Sequence, residues 1–349
     1  MGGRVETQAA DTAEFYRRFA RTEAHGSSPT YEALTLAVAD STELLGLLHT
    51  LPRAKRQPNL LLGALRWFGA PVQDPAAALA FALDRADDLR AFMGTHATQT
   101  NEVARCAVYL PALALVPGPV ALLELGASAG LCLLPDRWAY SWTRPDGSVV
   151  SLGPGGSGGA TARAGAVVTD AAPLTVTARV SANTPIPATM PEVVARLGLD
   201  ANPIDAADPA QRRWLECLIW PEHTDRAARL HDALAAAAAD PPPLRTGLFP
   251  ADAPAAVDRL RELAPEATVV VLHSAAVAYL DARARAEFVD TMAGLDVRRL
   301  GLEGAEVTAS IGVPGVPGTP GRFVLSLDDT VLGTADPHGR DLDWLAAPD

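Results

Sequence analysis

The sequence predicts an α/β protein in which a mainly parallel sheet follows an all-helical N-terminal region. Two short apolar runs, Val120–Leu125 and Ala267–Ser274, have the unbroken hydrophobicity of strands that are buried on both faces. A helical segment at 254–263 and a strand-like run at 323–327 continue an alternation of strands and helices, which is typical of a sheet covered on both faces. Aromatic residues make up only 5% of the chain, which disfavours an all-β sandwich.

The N-terminal third is predicted to be helical throughout. Apolar residues recur at helical spacing from Thr12 to Leu110, and prolines and polar breaks divide this stretch into four or five helices. Serine and threonine side chains accept hydrogen bonds from the free amides at the start of a helix. Ser28 or Thr30 should therefore cap the helix that begins near Tyr31.

A glycine-containing turn directly follows the first predicted strand. Residues 124–130 read Glu-Leu-Gly-Ala-Ser-Ala-Gly, and the apolar residues after them predict that the turn enters a helix. Glycine lets backbone amides approach a ligand closely, and a helix N-terminus favours an anionic group such as a carboxylate or a phosphate. The pattern is typical of the loop that holds the methionine part of the cofactor in S-adenosylmethionine (SAM) methyltransferases.

This interpretation predicts a Rossmann-like, methyltransferase-type sheet domain over residues 116–349, behind an all-helical cap domain over residues 1–115. A β segment near residues 145–190 would be an insertion in the sheet domain, because it combines alternating apolar residues with the glycine-rich run Gly153–Gly159. By analogy with this architecture, the helical domain would cover the ligand cleft of the sheet.

Six residues are predicted to bind SAM: Glu124, Gly126, Ser128, Gly130, Asp200 and Asp205. The first four follow or end the first strand, and open α/β sheets bind ligands at the carboxyl ends of their strands. Asp200, with Asp205 as the second choice, should accept hydrogen bonds from the ribose hydroxyls. An acidic turn, in which the carboxylate bonds to nearby backbone amides, explains Asp200 equally well.

Methyl transfer requires a base near the acceptor more than covalent catalysis, because the sulfonium is already a reactive methyl donor. His273, at the carboxyl end of a buried strand, is the first candidate, and His338, late in the chain, is the second. Asp136, next to Arg137, would orient a substrate or close a lid. Each of the three also has a structural interpretation: a hydrogen-bonded core histidine, a turn residue and an internal Asp–Arg pair.

The same turn contains Gly-x-Ser-x-Gly, the nucleophile elbow of α/β-hydrolases. Ser128 would then be the nucleophile and His338 the base. That fold requires several strands and an oxyanion-hole loop before the elbow, whereas the residues before Val120 have helical spacing. The serine hydrolase is therefore an alternative, as is a turn that only connects a strand to a helix.

Several motifs in a fixed order resemble a bacterial family described as domain of unknown function 2332, over nearly the whole chain. The motifs are Ser28-Pro29 with Tyr31, residues 123–131, residues 133–138, residues 198–205, Trp214-Leu215, residues 219–222, His273-Ser274, Tyr279-Leu280 and residues 337–339. The resemblance implies a Rossmann-like, methyltransferase-like core and makes the hydrolase less favoured. Two departures put polar contacts in doubt: Cys132 replaces an asparagine typical of the family, and Ser181–Pro185 replaces an arginine-glycine turn.

Composition limits the partners. A formal net charge of −12 repels phosphate backbones, so nucleic acid is not an expected partner. Cys106, Cys132 and Cys217 lack the spacing of a metal site, and no metal is predicted. The longest apolar stretch, Cys106–Leu123, is interrupted by prolines, and the N-terminus has no apolar core of a secretory signal. These features predict a cytoplasmic protein without a membrane span.

Three functions follow from these observations. The leading hypothesis is a SAM-dependent methyltransferase that acts on a small-molecule metabolite. The second is a methyltransferase-like protein that binds a nucleotide-type ligand or a partner without catalysis. The third is a serine hydrolase that uses Ser128 and His338. The sequence leaves the methyl acceptor and the oligomeric state open.

Overall fold

The computed structural model describes residues 2–99, 101–154, 173–316, 319 and 321–345, so most of the predicted run Gly153–Gly159 lies outside the described residues. The helices are α1 (Gly2–Phe19), α2 (Pro29–Asp40), α3 (Thr42–His49), α4 (Pro58–Trp67), α5 (Pro75–Asp84), α6 (Ala86–Thr95), α7 (Arg105–Leu113), α8 (Pro209–Cys217), α9 (Thr224–Ala239), α10 (Ala253–Leu263), α11 (Ala282–Ala293) and α12 (Ala305–Ser310). The strands are β1 (Val120–Leu125), β2 (Ala139–Thr143), β3 (Val149–Leu152), β4 (Thr175–Val180), β5 (Val193–Asp200), β6 (Leu244–Thr246), β7 (Thr268–Ser274), β8 (Arg298–Gly304), β9 (Phe323–Leu327), β10 (Thr330–Ala335) and β11 (Asp341–Trp344).

The chain divides into two compact units. One contains residues 1–100 and 208–231, and the other contains residues 101–207 and 232–349. The first unit therefore combines α1–α6 with α8 and the N-terminal half of α9. The second unit contains the sheet together with α7 and α10–α12. Within the described residues, no helix combines the length and the apolar character that a membrane span requires.

The helical unit is built from more and shorter helices than the sequence predicts. Ser28 caps α2, because its side chain accepts a hydrogen bond from the Tyr31 amide at 3.1 Å, and this prediction is confirmed. Ser41 caps α3 in the same way through the Leu44 amide at 3.2 Å. A cap of this kind starts a new helix directly after the previous one without a proline, which is why the sequence pattern undercounts the helices.

The sheet unit contains an eleven-stranded sheet in the order β3-β2-β4-β11-β10-β9-β8-β7-β1-β5-β6. β1 is parallel to β5 and β7, β5 is parallel to β6, and β7 is parallel to β8. β9 and β10 are antiparallel to their neighbours. The predicted buried strands at β1 and β7 are confirmed, and the protein is a mixed α/β structure with a large, mostly parallel sheet.

The predicted β insertion extends the sheet at the edge farthest from β6. β2 and β3 form an antiparallel hairpin, and β4 is parallel to both β2 and β11. The connection from β1 to β5 therefore runs through strands at the other end of the sheet and contains no α-helix among its described residues.

The side chains of β1 alternate between two faces of the sheet. Leu123 and Leu125 belong to an apolar cluster with Val257 and Leu260 of α10 and Phe288 of α11. Because successive side chains of a strand point in opposite directions, Glu124 lies on the other face. A charged residue is thus placed at the carboxyl end of an otherwise apolar strand.

Candidate functional site at the carboxyl ends of the parallel strands

The turn after β1 is sharp, as predicted, but it does not lead into an α-helix. Gly126, Ser128 and Gly130 have φ angles of +73°, +50° and +69°, in the left-handed region that serine rarely adopts. Only a three-residue 3₁₀ turn, Leu131–Leu133, follows. Pro135 ends it, because proline disfavours helical backbone in the residue before it. The predicted helix is wrong, and its N-terminal dipole is not present to attract an anion.

The amides of the turn donate to side chains of the protein. The Ser128 amide donates to Asp200 Oδ2 at 2.8 Å, and the Ala129 amide donates to Asn101 Oδ1 at 2.9 Å. Asn101 also donates from Nδ2 to the Ser128 hydroxyl oxygen at 2.7 Å. A carboxylate and an amide side chain of the protein thus occupy the donors that a ligand anion would need.

The glycines of the turn face protein atoms. A Cβ atom on Gly126 would lie 2.8 Å from the Ala276 Cβ, and one on Gly130 would lie 2.7 Å from the Pro242 Cγ. Real Cβ atoms do not approach other carbon atoms so closely. The Gly126 amide, in addition, donates to the Leu199 carbonyl at 2.8 Å. Close packing of the protein on itself is therefore sufficient to explain both glycines.

Asp200 lies at the carboxyl end of β5, the strand next to β1. β5 is in parallel register with β1, and Leu199 pairs with Leu125. The two Asp200 oxygens accept from the amides of Ser128 and Asn202, the latter at 2.7 Å. Asp205 is exposed, and its Oδ1 accepts from a backbone amide two residues later at 2.8 Å. Both carboxylates thus make the Asx-type bonds of the turn interpretation.

The methionine end of SAM does not fit the turn in this hydrogen-bonding arrangement, because the amides of Ser128 and Ala129 already have acceptors. The ribose fits better. Each oxygen of a carboxylate can accept two hydrogen bonds, so half-buried Asp200 retains acceptor capacity for a hydroxyl group. The structure therefore disfavours the predicted position of the methionine end of SAM and leaves Asp200 available for the ribose.

Glu124, one of the predicted binding residues, has an unused hydrogen-bonding atom. Glu124 is 5% exposed, and its Oε2 atom has no hydrogen-bond partner. Burial raises the pKa of its carboxyl group well above the usual value, nearby Cys132 and Asp200 raise it further, and Arg105 opposes them. Burial of an unpaired carboxylate is costly, so the folded protein favours the neutral acid. A ligand that bonded to Oε2 would remove part of this cost.

His273 forms a buried pair with Glu303. Its Nδ1 lies 3.1 Å from Glu303 Oε1, which also accepts from the Ala276 and Val277 amides at 2.9 Å. Since this carboxylate oxygen is an acceptor, the network assigns the proton to Nδ1 and leaves Nε2 as an acceptor without a partner. The imidazole is 1% exposed and shares a face with Leu125, opposite Glu124. Its catalytic role stays a prediction.

The loop that contains His338 reaches the end of β7 through Arg105. The His338 amide donates to Asp336 Oδ1 at 2.9 Å, which is the predicted turn. Arg105 donates from Nε to the Pro337 carbonyl at 2.9 Å and from Nη1 to the Ser274 carbonyl at 3.1 Å. One guanidinium group thus joins the His338 loop to the strand that carries His273.

Asp136 is engaged in an ion pair away from this edge. Both of its oxygens accept from Arg196, at 2.8 and 2.7 Å. Arg196 precedes Asp200 by four residues in β5, which corresponds to about 13 Å along the strand. An internal Asp–Arg pair therefore exists, but its partner is Arg196, whereas Arg137 pairs with Asp240.

Three residues of this edge carried no role in the sequence analysis: Asn101, Arg105 and Glu303. Glu303 had a visible signal, since it is a lone acid inside the apolar run of β8. Asn101 and Arg105 lie in a polar stretch that reads only as the start of a helix. Within the described parts of the chain, no group of three or more His, Cys, Asp or Glu residues is arranged to hold a metal ion.

Two motifs of the resemblance meet inside the helical unit. Glu222 accepts hydrogen bonds from the Ser28 hydroxyl and, at 3.0 Å, from the Thr30 amide. The Trp220 and Tyr31 rings lie 5.8 Å apart between centroids. Glu222 caps the N-terminus of α2, and the two rings pack in the apolar core of the helical unit. Both motifs therefore have a structural role.

Comparison with known proteins gives one match. The family model described as "Uncharacterized protein conserved in bacteria (DUF2332)" matches residues 13–344. No curated protein and no solved structure matches the chain. The family match covers nearly all of both units.

Proposed function

We propose that this chain, which belongs to the bacterial family DUF2332, is a methyltransferase-like protein that binds a nucleoside-type small molecule at the carboxyl ends of β1, β5 and β7. SAM is the first ligand to test, and methyl transfer to a small-molecule metabolite is the activity that its binding would allow. Binding of such a ligand without catalysis is the alternative at the same site.

The strand order supports this proposal. In the run β6-β5-β1-β7-β8, the strands are third, second, first, fourth and fifth in chain order, and all five are parallel. This is the order of the first five strands of the doubly wound nucleotide-binding fold. The order reverses between β1 and β7, and ligands of such sheets bind outside the carboxyl ends of the strands at that point.

The observation that carries the proposal is the unpaired Oε2 of Glu124. Buried polar side-chain atoms nearly always have a hydrogen-bond partner, so an exception at the end of β1 needs an explanation. A ligand atom that forms a hydrogen bond with Oε2 would provide one. Asp200, one strand away, retains acceptor capacity for a ribose hydroxyl.

Calorimetric titration of the full chain with SAM, S-adenosylhomocysteine and adenosine tests the proposal. We expect at least one of them to bind, and Glu124→Leu to weaken that binding about tenfold, because leucine has no atom that can form the hydrogen bond. Glu262→Leu is the matched control and should leave the affinity unchanged, because Glu262 lies on the exposed surface of α10. Equal affinity for the wild type and Glu124→Leu, or no binding by the folded wild type, would reject the proposal.

The serine hydrolase is favoured by one observation, the left-handed φ of Ser128, which is a strained conformation similar to that of a nucleophile elbow. Two observations weigh against it. Among the described residues, no strand precedes β1, and the Ser128 hydroxyl oxygen accepts from Asn101. A fluorophosphonate probe should therefore leave Ser128 unlabelled, whereas specific labelling of Ser128 would favour the hydrolase.

A further inference from the structure

Arg105, the first residue of α7, is a buried cation that has only carbonyl partners. It is 4% exposed, and its guanidinium donates to the carbonyls of Pro337 and Ser274. Among the described residues, no carboxylate lies within ion-pair distance of it. Arginine is almost never fully buried unless it is paired with an acid. Arg105 is therefore a buried cation that no acid among the described residues pairs with directly.

Two unpartnered polar atoms belong to the same neighbourhood. The Ser274 hydroxyl, on the residue whose carbonyl Arg105 binds, is shielded from solvent and has no hydrogen-bond partner. Glu124 Oε2 is the second such atom, and Glu124 interacts electrostatically with Arg105. Glu124 does not supply the missing charge, because burial favours its neutral form. A neutral carboxyl group and a hydroxyl group are both hydrogen-bond donors.

Phe323 lies beside Arg105 and also lines a cavity. The Arg105 guanidinium lies 5.5 Å from the centroid of the Phe323 ring. Phe323 in turn lines a cavity of about 620 Å³, together with Gly304, Glu306 and Arg322 among others. Small-molecule sites commonly have volumes of about 300–1,000 Å³. Arg105, Ser274 and Glu124 are not among the lining residues of this cavity, which is related to them only through the Phe323 ring.

We infer that Arg105 binds an oxyanion, a carboxylate or a phosphate group, with the Ser274 hydroxyl and the Glu124 carboxyl group as further donors. The planar guanidinium suits both groups, because it presents parallel N–H donors to two oxygens. The oxyanion belongs to the nucleoside-type ligand proposed above, so the identity of the whole ligand rests on that proposal. The oxyanion site itself is testable without a nucleoside.

The test measures the thermal unfolding midpoint of the full chain in potassium phosphate, potassium acetate and potassium chloride at equal ionic strength. A ligand that binds only the folded state raises this midpoint as its concentration rises. We expect phosphate or acetate, but not chloride, to raise the midpoint of the wild type. Stabilisation by phosphate alone identifies a phosphate group, and stabilisation by acetate alone identifies a carboxylate.

Variants locate the effect. Arg105→Lys keeps the charge but loses the two parallel donors, and it should weaken the apparent anion affinity at least tenfold. Ser274→Ala should weaken the apparent anion affinity about threefold. This variant keeps the Ser274 carbonyl that Arg105 binds, so it can be measured even if Arg105→Lys does not fold. Arg259→Lys, on the exposed surface of α10, is the matched control and should change nothing.

Equal stabilisation of the wild type, Arg105→Lys and Ser274→Ala would overturn the inference, since the anions would then bind elsewhere. So would the absence of any difference between phosphate, acetate and chloride for the wild type. Failure of the proposed function is a separate result: adenosine and its derivatives would not bind, whereas the anion effect and its loss in Arg105→Lys would persist.

Discussion

The glycine turn and the Arg105–Glu124 neighbourhood lie at the same end of the sheet, and they differ in how far the protein satisfies its own polar groups. In the turn, the amides of Ser128 and Ala129 have side-chain acceptors. At Glu124 an acid oxygen has no partner, and Arg105 has only carbonyls. The glycine turn of the recognisable motif is thus closed, whereas the unused capacity belongs to Glu124, at the start of the motif, and to Arg105, which no motif marks.

Small residues in a turn have two explanations that the sequence does not separate. Gly126 permits close approach of a ligand or close approach of Ala276, and the structure uses it for Ala276. Unsatisfied buried groups are more informative about ligands, because the protein gains nothing from leaving them unpaired.

The largest expected effect is that of Gly126→Val. The new side chain would adopt a left-handed φ of +73° and place its Cβ 2.8 Å from the Ala276 Cβ. Backbone strain and overpacking together should lower the free energy of unfolding by about 2–5 kcal/mol, measured by urea denaturation. Gly118→Val is the control, because Gly118 has a φ of +76° with no atom within 4 Å of a Cβ and should lose only about 1–2 kcal/mol. Equal losses would mean that the turn has room for a ligand.

Asp200→Ala should have the next largest effect. The substitution leaves the Ser128 and Asn202 amides without their acceptor, and loss of these bonds should lower the free energy of unfolding by about 1–3 kcal/mol. Asp205→Ala, measured under the same conditions, should cost about 0.5 kcal/mol, as surface substitutions usually do. If Asp200→Ala proved as mild as Asp205→Ala, the carboxylate would not hold the turn closed.

The pH dependence of stability should identify Glu124. Its pKa is raised in the folded state above the ordinary value of 4.5, so the folded protein retains a proton that the unfolded chain releases. Stability from this group is full below about pH 4.5 and decreases as the pH rises toward the folded-state pKa. Glu124→Gln should remove this decrease and be more stable than the wild type at pH 8, as measured by urea denaturation. Parallel pH profiles of the two proteins would show that Glu124 is not perturbed by burial.

Asn101→Ala should have the smallest effect. Loss of its two hydrogen bonds to the turn should cost about 1 kcal/mol, because Asn101 is only half-buried. The variant removes the hydrogen-bond acceptor of the Ala129 amide, so it also tests whether this amide can bind a ligand when Asn101 does not occupy it. We expect the SAM affinity measured by calorimetry to stay unchanged, and a clear increase would mean that Asn101 competes with a ligand for the turn.

The elements that depend on local pattern were predictable. β1 and β7 are continuous apolar runs because both of their faces are buried, and Ser28 is recognisable as a cap from its position before a helix. The family resemblance was likewise visible in ordered motifs.

The rest depends on contacts between distant parts of the chain. Arg105 meets the Pro337 carbonyl across a sequence separation of 232 residues, and backbone carbonyls leave no signature in a sequence. The membership of residues 208–231 in the helical unit depends in the same way on contacts such as Glu222 with Ser28. The missing helix after the turn has a local cause, because Pro135 disfavours helical backbone at Leu134.

A crystal structure with S-adenosylhomocysteine would show which groups of the protein bind the ligand. We expect the ligand carboxylate to contact Arg105 while the hydrogen bonds from Ser128 to Asp200 and from Ala129 to Asn101 remain intact. A ligand carboxylate that accepts from the Ser128 and Ala129 amides, with Asp200 and Asn101 displaced, would contradict this expectation.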